Sequence, residues 1–451
     1  MTKKNLWTLL IFAVFAIAIT TIYIFTQERI IIKAGDMITQ PSLKELESLP
    51  IEPQSKRVDL KMPFFSNPTN ITNPLFPVKM PQVLLTGHID GEPQQVTYSL
   101  LPGTRTITWG GQNIETVVIQ YNAYLDRRII ESATDWYAQD KDGNVWYLGE
   151  DVFNYDNGEI ADTHGTWLAG RDGPAALIMP AHPNVGDVFR VENIPGKAFE
   201  EIIVKAVDTT IEGAFGSISG AMIARQLHMD GTYSDKAFAP GIGEYVTATP
   251  SDLEVVALAL PDDALNVPVP NELKTLTSGF LVIYEAAGKE NWGEAQAKLS
   301  EIKSIWNSYK SKVKISNLLL PQMDRAIAKL TGDGLAPAVG QKNKSGTRLA
   351  AVDAMLASLD LELQYRTLDE IDRERFSTYA RKVIVDSEAS EWGYILTDII
   401  ALQMIEQRLT HGLSSSKGNE MKKLLGELRV AAKDNKFDKA IKIANELVIF
   451  N

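Results

Sequence analysis

The hydrophobic pattern changes period along the chain, and each change marks a different class of element. From Leu6 to Phe25 the run LWTLLIFAVFAIAITTIYIF carries no charge over 20 residues, and 20 residues at about 1.5 Å rise match the hydrocarbon thickness of a bilayer. The run predicts a membrane-spanning helix. Lys3 and Lys4 precede it, and Trp7 and Tyr23 sit near its two ends as interfacial residues do. The small-x-small triplet Ala16-Ile17-Ala18 falls inside the run, where a cleavage site does not belong. An uncleaved signal anchor over residues 1–35 is therefore preferred to a cleaved signal peptide or a buried core helix. Its orientation is read as amino terminus inside, which places the bulk of the chain outside the cell membrane in the periplasm or the extracellular space.

Residues 36–81 follow with eight of the 21 prolines. Proline removes a backbone donor and restricts the residue before it, so this segment is expected as a strap or linker with at most one short helix, from the Ser42–Glu45 capping box to Leu49. Residues 82–260 then alternate or run apolar in β-branched and aromatic stretches such as VLLTGHI, QQVTYSLL, TRTITWG and ETVVIQYNAYL, broken at Gly87, Gly91, Gly110-Gly111 and Asp142-Gly143. Helical crossovers are missing from this pattern, so a meandering antiparallel sheet is expected, curved like a half-barrel.

Past a second linker at 261–270 (PDDALNVPVP) every long segment repeats at the helical period. Helices are expected at about 271–288, 291–313, 316–331, 346–365, 368–385, 388–411, 418–433 and 436–449, one of them opened by the Thr367–Glu370 capping box. Ala286-Ala287, Trp292 and Ala295 recur at the same spacing as Ala431-Ala432, Phe437 and Ala440. Two copies of a helical hairpin do not make an array, so a bundle that reuses one packing is preferred to a solenoid. The fold class is thus α+β multidomain: a transmembrane helix, a curved antiparallel β domain and, over 271–451, an all-α bundle.

Composition adds one decisive fact. The net charge of −12 is not spread along the chain: residues 66–270 hold 11 basic and 27 acidic residues, a net of −16, while 1–65 and 271–451 are each +2. Nine acids fall between Asp135 and Asp172. A nucleic-acid partner is excluded by this balance, whereas cations or a basic envelope protein suit it. There is no cysteine, so disulfides, thiolate metal sites and cysteine nucleophiles are absent. The histidines never fall within five residues of one another, which leaves no zinc spacing, and there is neither a G-x-S-x-G elbow nor a phosphate loop.

Two constellations remain. Asp140, Asp142 and Asn144, with Glu150 and Asp151 behind them, present oxygens at alternate positions as calcium loops do. Glycine falls fourth in this run, not sixth, so a plain hairpin turn competes with a calcium site. Trp136, Tyr137, Trp146 and Tyr147 flank the turn and are placed to pair across it, with Trp167 and His164 close behind. They read either as core or as an aromatic groove for a sugar, peptide or lipid. Asp162 and His164 beside Glu150 or Asp151 offer an acid–base set for a hydrolase. In the helical part, Asp353 and Asp360 beside an apolar stripe are expected to pair with Arg375 and Arg381.

The stretch DWYAQDKDGNVWYLGEDVFNYDNGE from Asp135, with GTWLAGRDGPAALIMPAHPNVGD at 165–187 and FAPGIGEY at 238–245, resembles a family of exported bacterial and archaeal proteins of uncharacterised function. That family carries a D-W-Y-A-Q-D-x-x-G-N-V-W-Y block and an A-P-G-V-G turn, in which Ile242 here replaces the valine. The resemblance implies an exported, sheet-rich domain and brings no catalytic residues. The expected function is a membrane-anchored extracytoplasmic binding protein for a small ligand, lipid, glycan or protein. The alternatives are a carboxylate/His hydrolase, with or without calcium, and an envelope scaffold acting through the helical domain.

Overall fold

Tight glycine and asparagine turns build the strand domain. In the computed structural model, which describes Leu46 and residues 49–78, 82–89, 92–213, 216–248, 253–259, 267–316, 318–331, 339–409 and 412–450, strands β1 (Gln82–Ile89), β2 (Glu92–Trp109), β3 (Gln112–Leu125), β4 (Arg128–Gln139) and β5 (Val145–Asp156) form one meander. Gly110-Gly111 and Asn157-Gly158 take positive φ at both positions, as a hairpin turn matching the strand twist requires. Strands β6 (Glu159–Asp162), β7 (Trp167–Leu168) and β8 (Ala176–Met179) all pair with β5. A second meander runs through β9 (Val188–Ile194), β10 (Ala198–Glu212), β11 (Ser217–His228), β12 (Tyr233–Ala239), β13 (Gly243–Ala248) and β14 (Leu253–Ala259), and β14 pairs with β1. Every pairing is antiparallel, in the order β6-β5-β4-β3-β2-β1-β14-β13-β12-β11-β10-β9, and the sheet curves into the expected half-barrel.

The proline-rich segment closes one end of it. Val58 donates to Val188 of β9, Lys141 donates to Phe64 and Gln139 to Pro68 at the β4–β5 tip, and Gly241 donates to Pro74. Met62, Ile71, Leu75 and Val78 join the core of the sheet. These residues act as a strap, because prolines that cannot pair as strands still supply carbonyl acceptors and apolar surface. The span at 6–25 and the Ser42–Glu45 capping box lie outside the described residues, among which no helix is long and apolar enough to cross a membrane.

The helical part comprises α1 (Asn271–Gly288), α2 (Trp292–Lys312), α3 (Leu319–Thr331), α4 (Lys344–Glu362), α5 (Leu368–Glu388), α6 (Trp392–Leu409), α7 (Ser415–Lys433) and α8 (Phe437–Val448), with the Thr367 capping box formed as expected. The hairpin echo has a third copy. At α1–α2, α5–α6 and α7–α8 the same three backbone bonds close the turn, each around one residue at positive φ: Glu290, Ser390 and Asn435. That turn also explains why α6 starts at Trp392 and not at 388.

The two parts share one interface, on the outer face of β1–β4. Leu84, Tyr124 and Ile129 belong to the helical core. Around them Arg375 pairs with Asp360 at 3.0 Å and Asp372 at 3.3 Å, Arg408 with Asp372 at 2.6 Å, and Arg128 with Asp386 at 2.8 Å and Asp398 at 3.1 Å. The expected pairing of Asp360 with Arg375 is present. Asp353 pairs instead with Lys329, and Arg381 donates to Ser377.

Candidate functional site

The Asp140–Asn144 segment is the hairpin turn. One carboxylate organises it: Asp140 accepts from the backbone N–H of Asp142 at 2.8 Å and of Asn144 at 3.0 Å, from Asn144 Nδ2 at 2.9 Å and from Trp146 Nε1 at 2.9 Å. A carboxylate with four donors has no oxygen lone pair to spare for a cation. Asp142 sits outside with Lys141 and Lys61, Asn144 Oδ1 accepts from Ala181, and Asp151 lies 3.7 Å from Arg105. The calcium reading over Asp140, Asp142, Asn144, Glu150 and Asp151 is therefore corrected: the oxygens of Asp140, Asp142, Asn144 and Asp151 are engaged by local partners, Glu150 faces Glu192, and the five do not converge. Among the described residues no three acids or histidines are grouped to hold a metal.

The aromatic residues are core, which corrects the groove reading. Trp136, Tyr137, Trp146, Tyr147 and Trp167 are all buried. Only the tyrosines pair across β4–β5, stacked at 4.6 Å. Trp146 turns to Trp109 at 6.1 Å, and Arg105 lies over Trp136 at 3.7 Å. His164 is exposed; its backbone N–H donates to Asp162, and among the described residues no hydrogen bond joins its ring to Glu150 or Asp151. An acid–base set at His164 is not assembled.

What lies beside the tyrosines is a group of inward carboxyls. On β4 and β5, Asp135 opposes Glu150, one step from the Tyr137–Tyr147 pair. Tyr137 donates to Asp135 Oδ2 at 3.2 Å, and Asp135 Oδ1 is buried with no hydrogen-bond partner. The Trp167 Nε1 donor, on the residue opposite Glu150 across β7, is likewise buried and unpartnered. Glu192 of β9 meets Glu150 carboxyl to carboxyl. Burial is the main cause that pushes Asp135 up to about 7, Glu131 up to about 7 and Glu192 up to about 8, and it raises Glu150 well above the carboxyl range. Repulsion from neighbouring carboxyls pushes the same way, countered at Glu192 by its hydrogen bond with Glu150 and by the charge of Lys236. Next to them Glu200 differs, because burial is overcome by the His228 ring at 3.0 Å, which holds it below its ordinary value.

No protein-family model matches the chain, and no curated protein sequence matches it.

A second feature lies on the outer face of the same strands. A cavity of about 210 Å³ opens between β4–β6 and helices α6–α7, floored by Phe153, Tyr155, Ile160, Ile400 and Met404 and bordered by Gln403 and Arg429. The β5–β6 turn sets its shape, since Gly158 packs against Leu396 and Thr397 so closely that an added Cβ would sit 2.4 Å from both. Arg429 is half-buried, meets Gln403 Oε1 at 3.4 Å, and forms no ion pair among the described residues. Sequence reasoning missed Glu131, Glu192, Glu200, Met404 and Arg429. They lie far apart in the chain, and only the sheet order and the helix docking bring them to these two places.

Proposed function

We propose that the protein is a membrane-anchored, extracytoplasmic binding protein whose ligand is a small amphiphile with one anionic group. The observation that carries this reading is the cavity between β5–β6 and α6–α7, where an apolar floor ends at a half-buried guanidinium that forms no ion pair among the described residues. Ligand sites are concave, largely apolar and oriented by few polar groups. Arginine suits a carboxylate or phosphate head because its planar fork donates two parallel hydrogen bonds. At about 210 Å³ the cavity is smaller than common drug-sized sites, which run from roughly 300 Å³, so a short chain fits. The uncharged run at 6–25 and the resemblance of 135–187 to exported proteins support the address.

The test is titration calorimetry of the full-length protein with octanoate. Saturable binding is expected, at least tenfold weaker in Arg429→Gln and lost in Met404→Trp, which fills the floor. Absence of binding at millimolar octanoate, or equal affinity in both variants, refutes the ligand. Membrane fractionation tests the address: the full chain should resist alkaline extraction, and a chain starting at residue 36 should not sediment with membranes.

A further inference from the structure

Three hydrogen-bonded side chains in the second meander carry an inference independent of the outer cavity. We propose that Ser234, His228 and Glu200 form a serine-type acyl-transfer site that hydrolyses small esters.

The sheet register builds this site. Glu200 of β10 lies directly opposite His228 at the end of β11, and Ser234 of β12 lies opposite Gln226, two residues before that histidine. Residues two apart along a strand share a face. Glu200 therefore points the same way as Ile202, His228 as Met222 and Ala224, and Ser234 as Phe238, all of which belong to the core of the sheet.

The contacts follow the order that a triad requires. His228 Nδ1 lies 3.0 Å from Glu200 Oε1, and His228 Nε2 lies 2.9 Å from Ser234 Oγ. A hydroxyl nucleophile, a base within hydrogen-bond reach and a third group on the far nitrogen of that base are the parts of serine-type catalysis on any fold. Burial raises Glu200, but the hydrogen bond and charge of His228, with the charge of Lys236 and a hydrogen bond from Gln226, bring it below its ordinary value. It is ionised at neutral pH, and a carboxylate only accepts. Nδ1 of His228 therefore carries the proton, and the lone pair on Nε2 faces the Ser234 hydroxyl. Among the described residues this is the one hydrogen bond that the hydroxyl makes.

Access is narrow and limits the substrate. The three residues stand where β11 turns into β12, with 16% of the Glu200 side chain and 13% of the His228 side chain exposed and Ser234 only 2% exposed. A short acyl group suits such an approach and a folded or long-chain substrate does not, so the class is a small ester such as an acetyl ester. In the first half-reaction Ser234 Oγ attacks the carbonyl carbon, its proton passes to Nε2, and that proton leaves with the alcohol as the ester C–O bond breaks. In the second, water attacks the acyl-serine, one of its protons passes through Nε2 to Ser234 Oγ, and the carboxylic acid departs. One ester and one water become one acid and one alcohol. The other charged groups around this face are Glu192 of β9 and the pair of Lys236 and Glu244, at 3.1 Å, on β12 and β13.

The experiment mixes the full-length protein with p-nitrophenyl acetate between pH 5 and 9, follows nitrophenol release, and locates acetyl groups after an acid quench by peptide mass spectrometry. The expected result is saturable turnover with an acid limb and an acetyl group on Ser234. Ser234→Ala and His228→Gln should each lose about a hundredfold in kcat/KM. Glu200 acts through His228 and is a positioning residue. Glu200→Gln should lower kcat roughly tenfold with little change in KM, and it should move the acid limb to lower pH, because the imidazolium loses its counter-charge. Wild type that shows no saturable turnover, acetyl groups on lysines but not on Ser234, a rate unchanged in Ser234→Ala, or an acid limb unmoved in Glu200→Gln each overturns the proposal. The first two results need no variant to fold. Because the octanoate measurement reads a different cavity, failure of either leaves the other standing.

Discussion

Replacing Asp135 by asparagine should make stability less sensitive to pH, and the sign follows from the burial of the carboxyl. Asp135 is pushed from 3.8 up to about 7, with burial the largest cause, partly countered by hydrogen bonds from Tyr137 and Tyr147. The folded chain therefore holds this proton more tightly than the unfolded chain does. Where the native state binds more protons, stability falls as pH rises. The wild-type contribution is thus fullest below about pH 4, declines between about pH 4 and 7, and is flat above. One pH unit of displacement corresponds to about 1.4 kcal/mol, so charging Asp135 inside the sheet costs up to about 4 kcal/mol, of which about 2 falls between pH 5 and 7. Asparagine keeps an acceptor for Tyr137 and cannot ionise. The variant should lead wild type by roughly 1.5 kcal/mol at pH 5 and by about 4 kcal/mol at pH 8. Urea unfolding followed by tryptophan fluorescence at pH 5, 6, 7 and 8 measures this as a difference of midpoints, so other titrating groups cancel. A difference that stays constant with pH, or that moves against the variant, refutes the reasoning.

Asp140→Ala removes one acceptor from four donors, two of them the backbone of the turn and one the buried Trp146 indole; a loss on the order of 3 kcal/mol is expected from the donors left behind, with melting temperature unchanged by calcium or by a chelator in wild type. Gly158→Ala places a Cβ 2.4 Å from Leu396 Cβ and Thr397 N at a φ of +73°, so the β5–β6 turn should leave α6 and cost roughly 2 kcal/mol or more, read as a lower melting temperature together with new proteolytic cleavage near residue 158.

Long periodic segments were the most legible part of the chain. All eight helices lie where the 3.6-residue pattern puts them, because each buries a stripe against its neighbours. The third hairpin copy was hidden by chemistry. Where the first and last copies carry Ala286-Ala287 and Ala431-Ala432, the middle one carries Asp386-Ser387. Asp386 occupies the small-residue position because Arg128 of the strand domain reaches it at 2.8 Å, a partner that no local pattern reveals. The strap was legible from proline alone, but its route across the β4–β5 tip was not, since its anchors are mostly backbone groups.

The acidic segment shows why charge counting located a region without resolving its site. On β4 the inward residues share parity, so Glu131, Asp135 and Tyr137 face one way, and Tyr147 of β5 faces Tyr137. Continued alternation along β5 would send Glu150 outward and Asp151 inward. Instead the register shifts between the Tyr137 and Asp135 pairs, and Gly149, at a φ of +129°, takes up the irregularity against the Trp167 backbone, where an added Cβ would meet the carbonyl oxygen at 2.3 Å. A bulge adds one residue to one strand and inverts the faces beyond it. Glu150 is thereby turned in beside Asp135 and Glu192, while Asp151 goes out to Arg105. The inward acids thus exist as a group because a single glycine breaks the alternation, a displacement of one residue that neither the net charge of the segment nor its hydrophobic period records.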